Sequence, residues 1–238
     1  MGSELAASLA RLGVRVLAVS NRLGCLRARS GSQGLELGAV LRARAERGER
    51  WLLEPAAAGP GAERCEREAL FEVECELLFA CADAGSLDCA AAERLAARAV
   101  VPAANEPLGP GAERCLEQRG VLVLPDCAVN SGGILGSFLA GFGIAPGRLE
   151  RLEHALYRAA LGRLLARAEA AHTSPYALGR ALADRLAARR ARASWPVRRA
   201  HGVLGRLRRA PPPWRQLAGE LALGWARRWF ARLFAEEG

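Results

Sequence analysis

Residues 99–138 read AVVPAANEPLGPGAERCLEQRGVLVLPDCAVNSGGILGSF and carry the strongest fold signal in the chain. They contain two near-continuous apolar runs, Ala99–Asn105 and Val121–Asp126. Such runs are typical of strands that are buried on both faces of a parallel sheet. The segment from Pro110 to Gly120 lies between them and has the start and stop residues of a helix. A strand, a helix and a second strand in this order predict a βαβ unit with a right-handed crossover.

The same alternation extends toward the N-terminus. Helices are predicted over Ser3–Leu12, over Leu35–Arg47, and from Ser86 or Asp88 to about Ala97. Strands are predicted over Val14–Asn21, Trp51–Leu53 and Glu76–Ala82, with a loop over Arg22–Gly34. We therefore expect an α/β fold with a doubly wound parallel sheet, in which ligands bind at the carboxyl ends of the strands.

From Leu149 onward the pattern predicts helices alone. They are expected over Leu149–Ala170, from Ser174 to about Ala193, and over Leu217–Phe234, with an Arg- and Pro-containing linker over residues 194–213. The sequence thus divides into an α/β region (residues 1–148), a helical region (149–193) and a C-terminal region (194–238).

Composition excludes one class of mechanism. The 238-residue chain is 51% hydrophobic, which is enough to bury a sizeable core, and it carries a net charge of +9. All 34 basic residues are Arg, so this chain supplies no lysine as a base, Schiff-base former or phosphate ligand. The charge is uneven: residues 1–146 carry a net −3 and residues 147–238 a net +12.

The Arg-rich C-terminal region has several interpretations. Arg residues interspersed with Trp can bind a phosphate backbone and stack on bases, but they are also typical of a solvated surface. The last helix, with Trp225, Trp229 and Phe230, either packs on the body of the protein or lies on an anionic membrane or a partner subunit. We expect neither nucleic acid nor a membrane as a partner.

The cysteines and the N-terminus indicate the compartment. The seven Cys are odd in number and include no CxxC pair, which favours reduced thiols over a metal site. The first residues lack the basic and apolar regions of a signal peptide, and no run approaches the roughly 18 apolar residues of a membrane span. The three His residues form no pattern typical of a triad or metal site. We expect a cytoplasmic protein without a metal.

Residues 99–138 resemble the Glu/Leu/Phe/Val dehydrogenase family. That family shows an ANxP-type strand end, a helix, an RG-plus-hydrophobic strand, PD, and then NxGG followed by a helix with an early Ser, and all of these recur here in order. Upstream, GSELAASLARLGVRVLAVSN is similar to the first dinucleotide-binding helix and the second strand. The resemblance covers roughly residues 2–193 and implies a Rossmann-type domain whose first strand is missing, followed by C-terminal helices.

The resemblance also implies a set of cofactor-binding residues. Gly2 matches the last glycine of the GxGxxG fingerprint, and Asn21 matches the strand-end residue that faces the adenosine ribose. Ala82 lies at the family's Pro-Ala-Ala turn, with Ala80 replacing the usual Pro. Asn105 and Asn130 match the two amides that hold the nicotinamide and its ribose.

The remaining expectations concern cofactor choice and substrate. Ser137 matches a hydroxyl that binds the substrate side chain in glutamate-using relatives. The cofactor is expected to be NAD or NADP: Arg22, Arg27 or Arg29 would attract a 2′-phosphate, or they belong to a solvated loop.

The implied reaction is NAD(P)-dependent oxidative deamination of an L-amino acid. It uses a lysine and a carboxylate of a separate substrate domain. This chain would supply only the cofactor-binding part, would carry no catalytic residue and would be inactive alone. It would act in a homo-oligomer or with a separate substrate-domain chain. The alternative is a non-catalytic protein derived from the family that binds nucleotide or forms oligomers.

Overall fold

The computed structural model describes residues 2–53, 59–192 and 219–224. They belong to two compact units, Met1–Val123 and Leu124–Gly238. The predicted linker over residues 194–213 and most of the predicted helix Leu217–Phe234 lie outside the described residues.

The first unit contains four helices and six strands among its described residues. In chain order they are α1 (Gly2–Arg11), β1 (Ala18–Asn21), β2 (Gly24–Ala28), α2 (Leu37–Arg47), β3 (Ala62–Cys65), β4 (Cys75–Ala80), α3 (Cys89–Arg94), β5 (Ala97–Pro102), α4 (Ala112–Gln118) and β6 (Leu122–Val123). The described residues of this unit also include two short 3₁₀ helices, Gly48–Leu53 and Arg67–Glu72.

Strands β4, β5 and β6 form a parallel sheet in that order. The connections are α3 and α4, as expected for βαβ units. Asp88 caps α3: its side chain accepts a hydrogen bond from the Ala91 N–H at 2.8 Å, and this satisfies one of the unpaired donors at the helix start. Val100 in the central strand and Leu116 on α4 are fully buried. The α/β fold class with a parallel sheet is therefore confirmed.

Strands β1, β2 and β3 form a second, antiparallel sheet. The prediction of a loop over Arg22–Gly34 is wrong here, because Arg22 and Leu23 make a tight turn that sends the chain back as β2. Gly24 permits this return with a φ of 142°. The segment pairs because Leu26 is fully buried in a core cluster beneath the sheet.

The strand predicted over Trp51–Leu53 is also wrong, because these residues end the 3₁₀ helix Gly48–Leu53. Trp51 and Leu52 are buried in the same cluster as Leu26 and Val40. A helical turn directs two consecutive side chains into one core, whereas a strand would direct them to opposite faces.

The second unit is helical in its described residues. It consists of α5 (Asp126–Val129), α6 (Gly132–Ala140), α7 (Pro146–Ala170), α8 (Pro175–Arg192) and a short helix over residues 219–224. The strand predicted to reach Asp126 ends at Val123, because α5 already begins at Asp126, with Pro125 as its N-cap.

The helices expected after Leu149 are present as α7 and α8. The core of the second unit contains Leu135 and Leu139 of α6 together with Leu149 and Leu152 of α7. Because α6 shares this core with α7, both helices belong to the same compact unit, Leu124–Gly238. Among the described residues, no helix combines the length and apolar character needed to cross a bilayer.

Candidate functional site

The carboxyl ends of β4 and β5 lie side by side. Ala80 is paired with Pro102 in the parallel register, and each is the last residue of its strand. The carbonyl oxygen of Ala80 then accepts hydrogen bonds from the N–H groups of Ala103 and Ala104, both at 2.9 Å. The chain that leaves β5 is thereby held against the end of β4, which is the edge at which α/β sheets bind ligands.

The loops that follow the two strands are tied to each other by backbone hydrogen bonds. The Gly85 N–H donates to the Glu106 carbonyl at 2.9 Å, and the Leu87 N–H donates to the Pro107 carbonyl at 2.9 Å. The Gly109 N–H returns a bond to the Leu87 carbonyl at 2.8 Å, and the Leu87 side chain is buried. These contacts hold both loops in place against the sheet.

Ala82 and Asn105 are exposed on these anchored loops. Both therefore reach solvent at the carboxyl edge of the sheet. The neighbouring Glu106 has a φ of 48°, in the left-handed region that non-glycine residues seldom adopt. Strained backbone of this kind persists where surrounding bonds over-determine it, and it is enriched at ligand sites.

The N-terminus of α1 lies at the same edge. A β-carbon built on Gly2 would stand 3.8 Å from the Cβ of Cys81, the residue that follows β4. Gly2 is the first residue of α1, so its helix presents unpaired N–H groups and the positive end of its dipole here. A helix start beside the end of a parallel strand is a geometry that binds pyrophosphate.

The side chain of Asn21 forms one hydrogen bond within its own hairpin and one to the 3₁₀ helix Gly48–Leu53. Its side-chain N–H donates to the Glu49 carbonyl at 2.9 Å, and its side-chain oxygen accepts from the Leu23 N–H at 2.8 Å. The amide thus stabilises the turn between β1 and β2. To bind a ribose hydroxyl as predicted, the Asn21 side chain would have to form a further hydrogen bond in addition to these two.

The three arginines considered for a 2′-phosphate each lie near a carboxylate. Arg22 pairs with Glu49. Arg27 donates two hydrogen bonds to Glu63, at 2.6 and 3.0 Å, and this bonding raises the pKa of Arg27 further. Arg29 lies 3.9 Å from the same carboxylate. All three positions are on the antiparallel sheet or its loops and are at least partly exposed, so the pairs are weak and exchangeable.

Asn130 and Ser137 belong to the second unit. Asn130 ends α5, and its backbone N–H donates to the Asp126 carbonyl at 2.9 Å. The next residue, Ser131, shares a 2.8 Å hydrogen bond with the hydroxyl of Tyr157 on α7. Burial raises the pKa of Tyr157, against the opposing effect of this hydrogen bond. Ser137 is exposed in the middle of α6.

Tyr157 and Glu153 were not predicted from the sequence. Oε1 of Glu153 is buried and accepts no hydrogen bond from any described residue. Desolvation, followed by the nearby charge of Glu150, raises the pKa of Glu153. Tyr157 and Ser131 are far apart in sequence, so no local pattern connects them. The periodicity of α7 indicates only which of its residues are apolar.

Metal binding has no support in the described part of the chain, where His, Cys, Asp and Glu side chains nowhere converge in groups of three or more. All seven cysteines are free thiols.

The family model for Glutamate/Leucine/Phenylalanine/Valine dehydrogenase matches residues 1–141, more than half of the chain. The chain belongs to the Glu/Leu/Phe/Val dehydrogenase family. The resemblance noted for residues 99–138 is thereby confirmed, and the α/β geometry described above is that of a family member.

Two relatives of this dehydrogenase-family chain are glutamate dehydrogenases. It is 34% identical over 127 residues to the glutamate dehydrogenase of Thermotoga maritima, which covers 53% of this chain and 28% of the relative. It is 35% identical over 137 residues to the NADP-specific glutamate dehydrogenase A1 of Halobacterium salinarum, which covers 58% of this chain and 31% of the relative. The chain thus spans less than a third of the length of these two relatives.

A solved structure shows the same fold. The hetero-hexameric glutamate dehydrogenase from Thermus thermophilus, in its Leu-bound form, superposes with a TM-score of 0.59 at 25% sequence identity. The match covers 100% of this family member and 46% of the Thermus chain.

Proposed function

We propose that this chain supplies the dinucleotide-binding part of an NAD(P)-dependent amino-acid dehydrogenase. The observation that carries the proposal is the convergence of the α1 N-terminus, with Gly2, and the anchored loops with Ala82 and Asn105 at one sheet edge. The residues fit a dinucleotide: a glycine without a side chain leaves room for a phosphate at a helix start, and an exposed amide supplies a donor and an acceptor.

The bound nicotinamide supplies hydride chemistry at its C4. The residues of this chain would bind and orient it. The Gly2 helix start would hold the pyrophosphate and the Ala82 carbonyl would approach the ribose. The amides of Asn105 and Asn130 would orient the nicotinamide and its ribose, while Ser137 would bind the side chain of an amino-acid substrate. Asn21 would bind the ribose only in addition to its hydrogen bonds with Glu49 and Leu23.

We further propose that catalysis requires residues outside this chain. The sequence contains no Lys, so the lysine that the family's chemistry uses would come from a different polypeptide and not from a second copy of these 238 residues. The hetero-hexameric assembly of the Thermus relative is a precedent for an enzyme with different subunits. The purified 238-residue chain is expected to turn over no L-amino acid, and turnover above background would contradict this.

The deciding experiment is a fluorescence titration of the purified chain with NADH and with NADPH. Asn105→Ala is expected to weaken binding about 10-fold, which corresponds to the loss of one or two hydrogen bonds to the cofactor. Gln118→Ala is the matched control. It also removes an exposed side-chain amide, but from the last residue of α4, whereas Asn105 lies on the loop that precedes this helix. Equal affinities of Asn105→Ala and wild type, or no binding of either cofactor by wild type, would overturn the proposal.

A further inference from the structure

Cys25 and Cys65 face each other across two antiparallel strands. Cys25 on β2 is the direct register partner of Cys65 on β3. The Cys65 Sγ lies 3.6 Å from the backbone oxygen of Cys25. Both thiols are free. Side chains at directly opposed positions of an antiparallel pair lie on the same face of the sheet, so the two sulfurs are neighbours.

The backbone spacing suits a covalent bridge between them. The Arg29 N–H donates to the Gly61 carbonyl at 2.7 Å where this pair of strands ends. Hydrogen-bonded pairs recur at every second residue of an antiparallel ladder, which makes Cys25 and Cys65 one such pair. Their Cα atoms are then about 5.5 Å apart, within the range that disulfides span. The Cα spacing of this pair is therefore compatible with a disulfide.

The two thiols differ in their access to solvent. Cys25 is fully buried, whereas Cys65 is half-buried near the end of β3. Burial, followed by the neighbouring Cys65 thiol, raises the pKa of Cys25 to about 12. A reagent in solution therefore reaches Cys65 first, and Cys25 is positioned to react with whatever forms there.

We propose that Cys25 and Cys65 form a reversible disulfide when the protein meets a peroxide. The Cys65 sulfur attacks one peroxide oxygen and breaks the O–O bond, which gives a sulfenic acid on Cys65 and releases water. The Cys25 sulfur then attacks the Cys65 sulfur, the S–O bond breaks, and the hydroxide leaves as water with the Cys25 proton. The two thiols lose two electrons in total, and the peroxide gains them.

The bridge would close the chain from β2 to β3 into a loop that contains α2. This loop carries Leu35, Val40 and Trp51, which belong to the core of the antiparallel sheet. A covalent link between its ends restricts the unfolded chain more than the folded one. Oxidation is therefore expected to raise the Tm of the chain by about 5–10 °C, and a thiol reductant is expected to reverse this.

The test treats the reduced full-length chain with hydrogen peroxide, blocks the remaining thiols by alkylation, and maps peptides by mass without reduction. The expected product is a peptide pair joined through Cys25 and Cys65, lighter than the two separate peptides by two hydrogen atoms and released by dithiothreitol. Cys25→Ser should leave a sulfenic acid on Cys65 that dimedone traps, because the second thiol is then missing.

Cys75→Ser is the matched control, because Cys75 is a half-buried strand cysteine of the parallel sheet. This variant should retain the Cys25–Cys65 peptide pair. The wild-type map decides the question even if Cys25→Ser fails to fold. Recovery of both cysteines in alkylated form, oxidation of Cys65 beyond the sulfenic acid without a bridge, or a bridge to any other cysteine would overturn the proposal.

Discussion

Gly2 and Cys81 are adjacent: a β-carbon on Gly2 would stand 3.8 Å from the Cβ of Cys81. The start of α1 is thereby located at the end of β4, although the two residues are separated by the whole antiparallel sheet in the sequence. The distance is an ordinary van der Waals contact, so a methyl group fits at Gly2 without displacing its neighbour.

Because a methyl group fits at Gly2, the variant Gly2→Ala can distinguish a structural role of this glycine from a role in cofactor binding. Gly2→Ala is expected to leave the Tm within about 1 °C, because the methyl group meets no steric conflict and lies at a helix start. The same methyl group should weaken dinucleotide binding about 10-fold, because it occupies the space through which a phosphate approaches the helix N–H groups. Thermal unfolding and cofactor titration measure the two effects. Gly133→Ala, which meets nothing within 4 Å, is the control.

Gly179 on α8 packs closely against Pro125, so we expect a side chain at this position to clash with the proline ring. A β-carbon there would overlap the Pro125 ring and stand 3.7 Å from Leu164 Cδ2. Gly179→Ala should lower the free energy of unfolding by about 1–3 kcal/mol, the range found for overpacked cores. Gly162→Ala on α7 has open space around it and should raise the same quantity by about 0.5–1 kcal/mol. Urea unfolding of both variants measures this, and equal effects would contradict the prediction.

The part-buried carboxyl of Glu153 predicts a pH dependence of stability. Its pKa is raised in the folded state, chiefly by desolvation, so the native protein holds this proton more tightly than the unfolded chain does. Stability is therefore highest below the ordinary carboxyl pKa and falls as the pH rises through the raised value. Glu153→Gln removes the titration and should be more stable than wild type at pH 7.

Urea unfolding at about pH 4 and pH 7 measures this difference, since the ordinary Glu pKa lies near the lower value. The free energies of unfolding of wild type and Glu153→Gln should become more similar at the acidic pH. Glu169 is an exposed carboxyl on the same helix, so Glu169→Gln should have the same free energy of unfolding as wild type at both pH values. A constant difference between Glu153→Gln and wild type would argue against titration of Glu153.

The hydrogen bond between Ser131 and Tyr157 predicts coupling between α6 and α7. Tyr157→Phe and Ser131→Ala should each lower the free energy of unfolding by about 1 kcal/mol, because each removes one partner of a part-buried bond. The double variant should lower the free energy of unfolding by less than the sum of the two single variants, with a coupling energy of about 0.5–1.5 kcal/mol. Additive effects in this double-mutant cycle would show that the bond contributes nothing.

Much of the parallel sheet was predictable from local pattern. The runs Ala99–Asn105 and Val121–Asp126 are apolar on both faces, which is the requirement for a strand covered by helices on a parallel sheet. Both predicted strands extend too far toward the C-terminus, because β5 ends at Pro102 and β6 ends at Val123, two residues before the N-cap Pro125 of α5. Proline at these points removes a backbone donor and so ends the strand ladder.

The antiparallel sheet was not predictable in the same way. The segment Gly24–Ala28 contains Gly and Arg and carries no clear alternation, so its local pattern is that of a loop. It becomes a strand because the turn at Arg22 returns it alongside β1 and because Leu26 is buried beneath the sheet. Both causes are long-range, and a window of adjacent residues does not contain them.

The amino-acid sequence by itself determined the family, the alternation of strands and helices, and the absence of a lysine from any chemistry this chain performs. The three-dimensional fold alone places Gly2 beside Cys81, holds the Asn21 amide between Leu23 and Glu49, and sets Cys25 opposite Cys65. The physical reason is that periodicity reports which face of an element is buried, whereas strand pairing and loop closure depend on contacts between residues far apart in the chain.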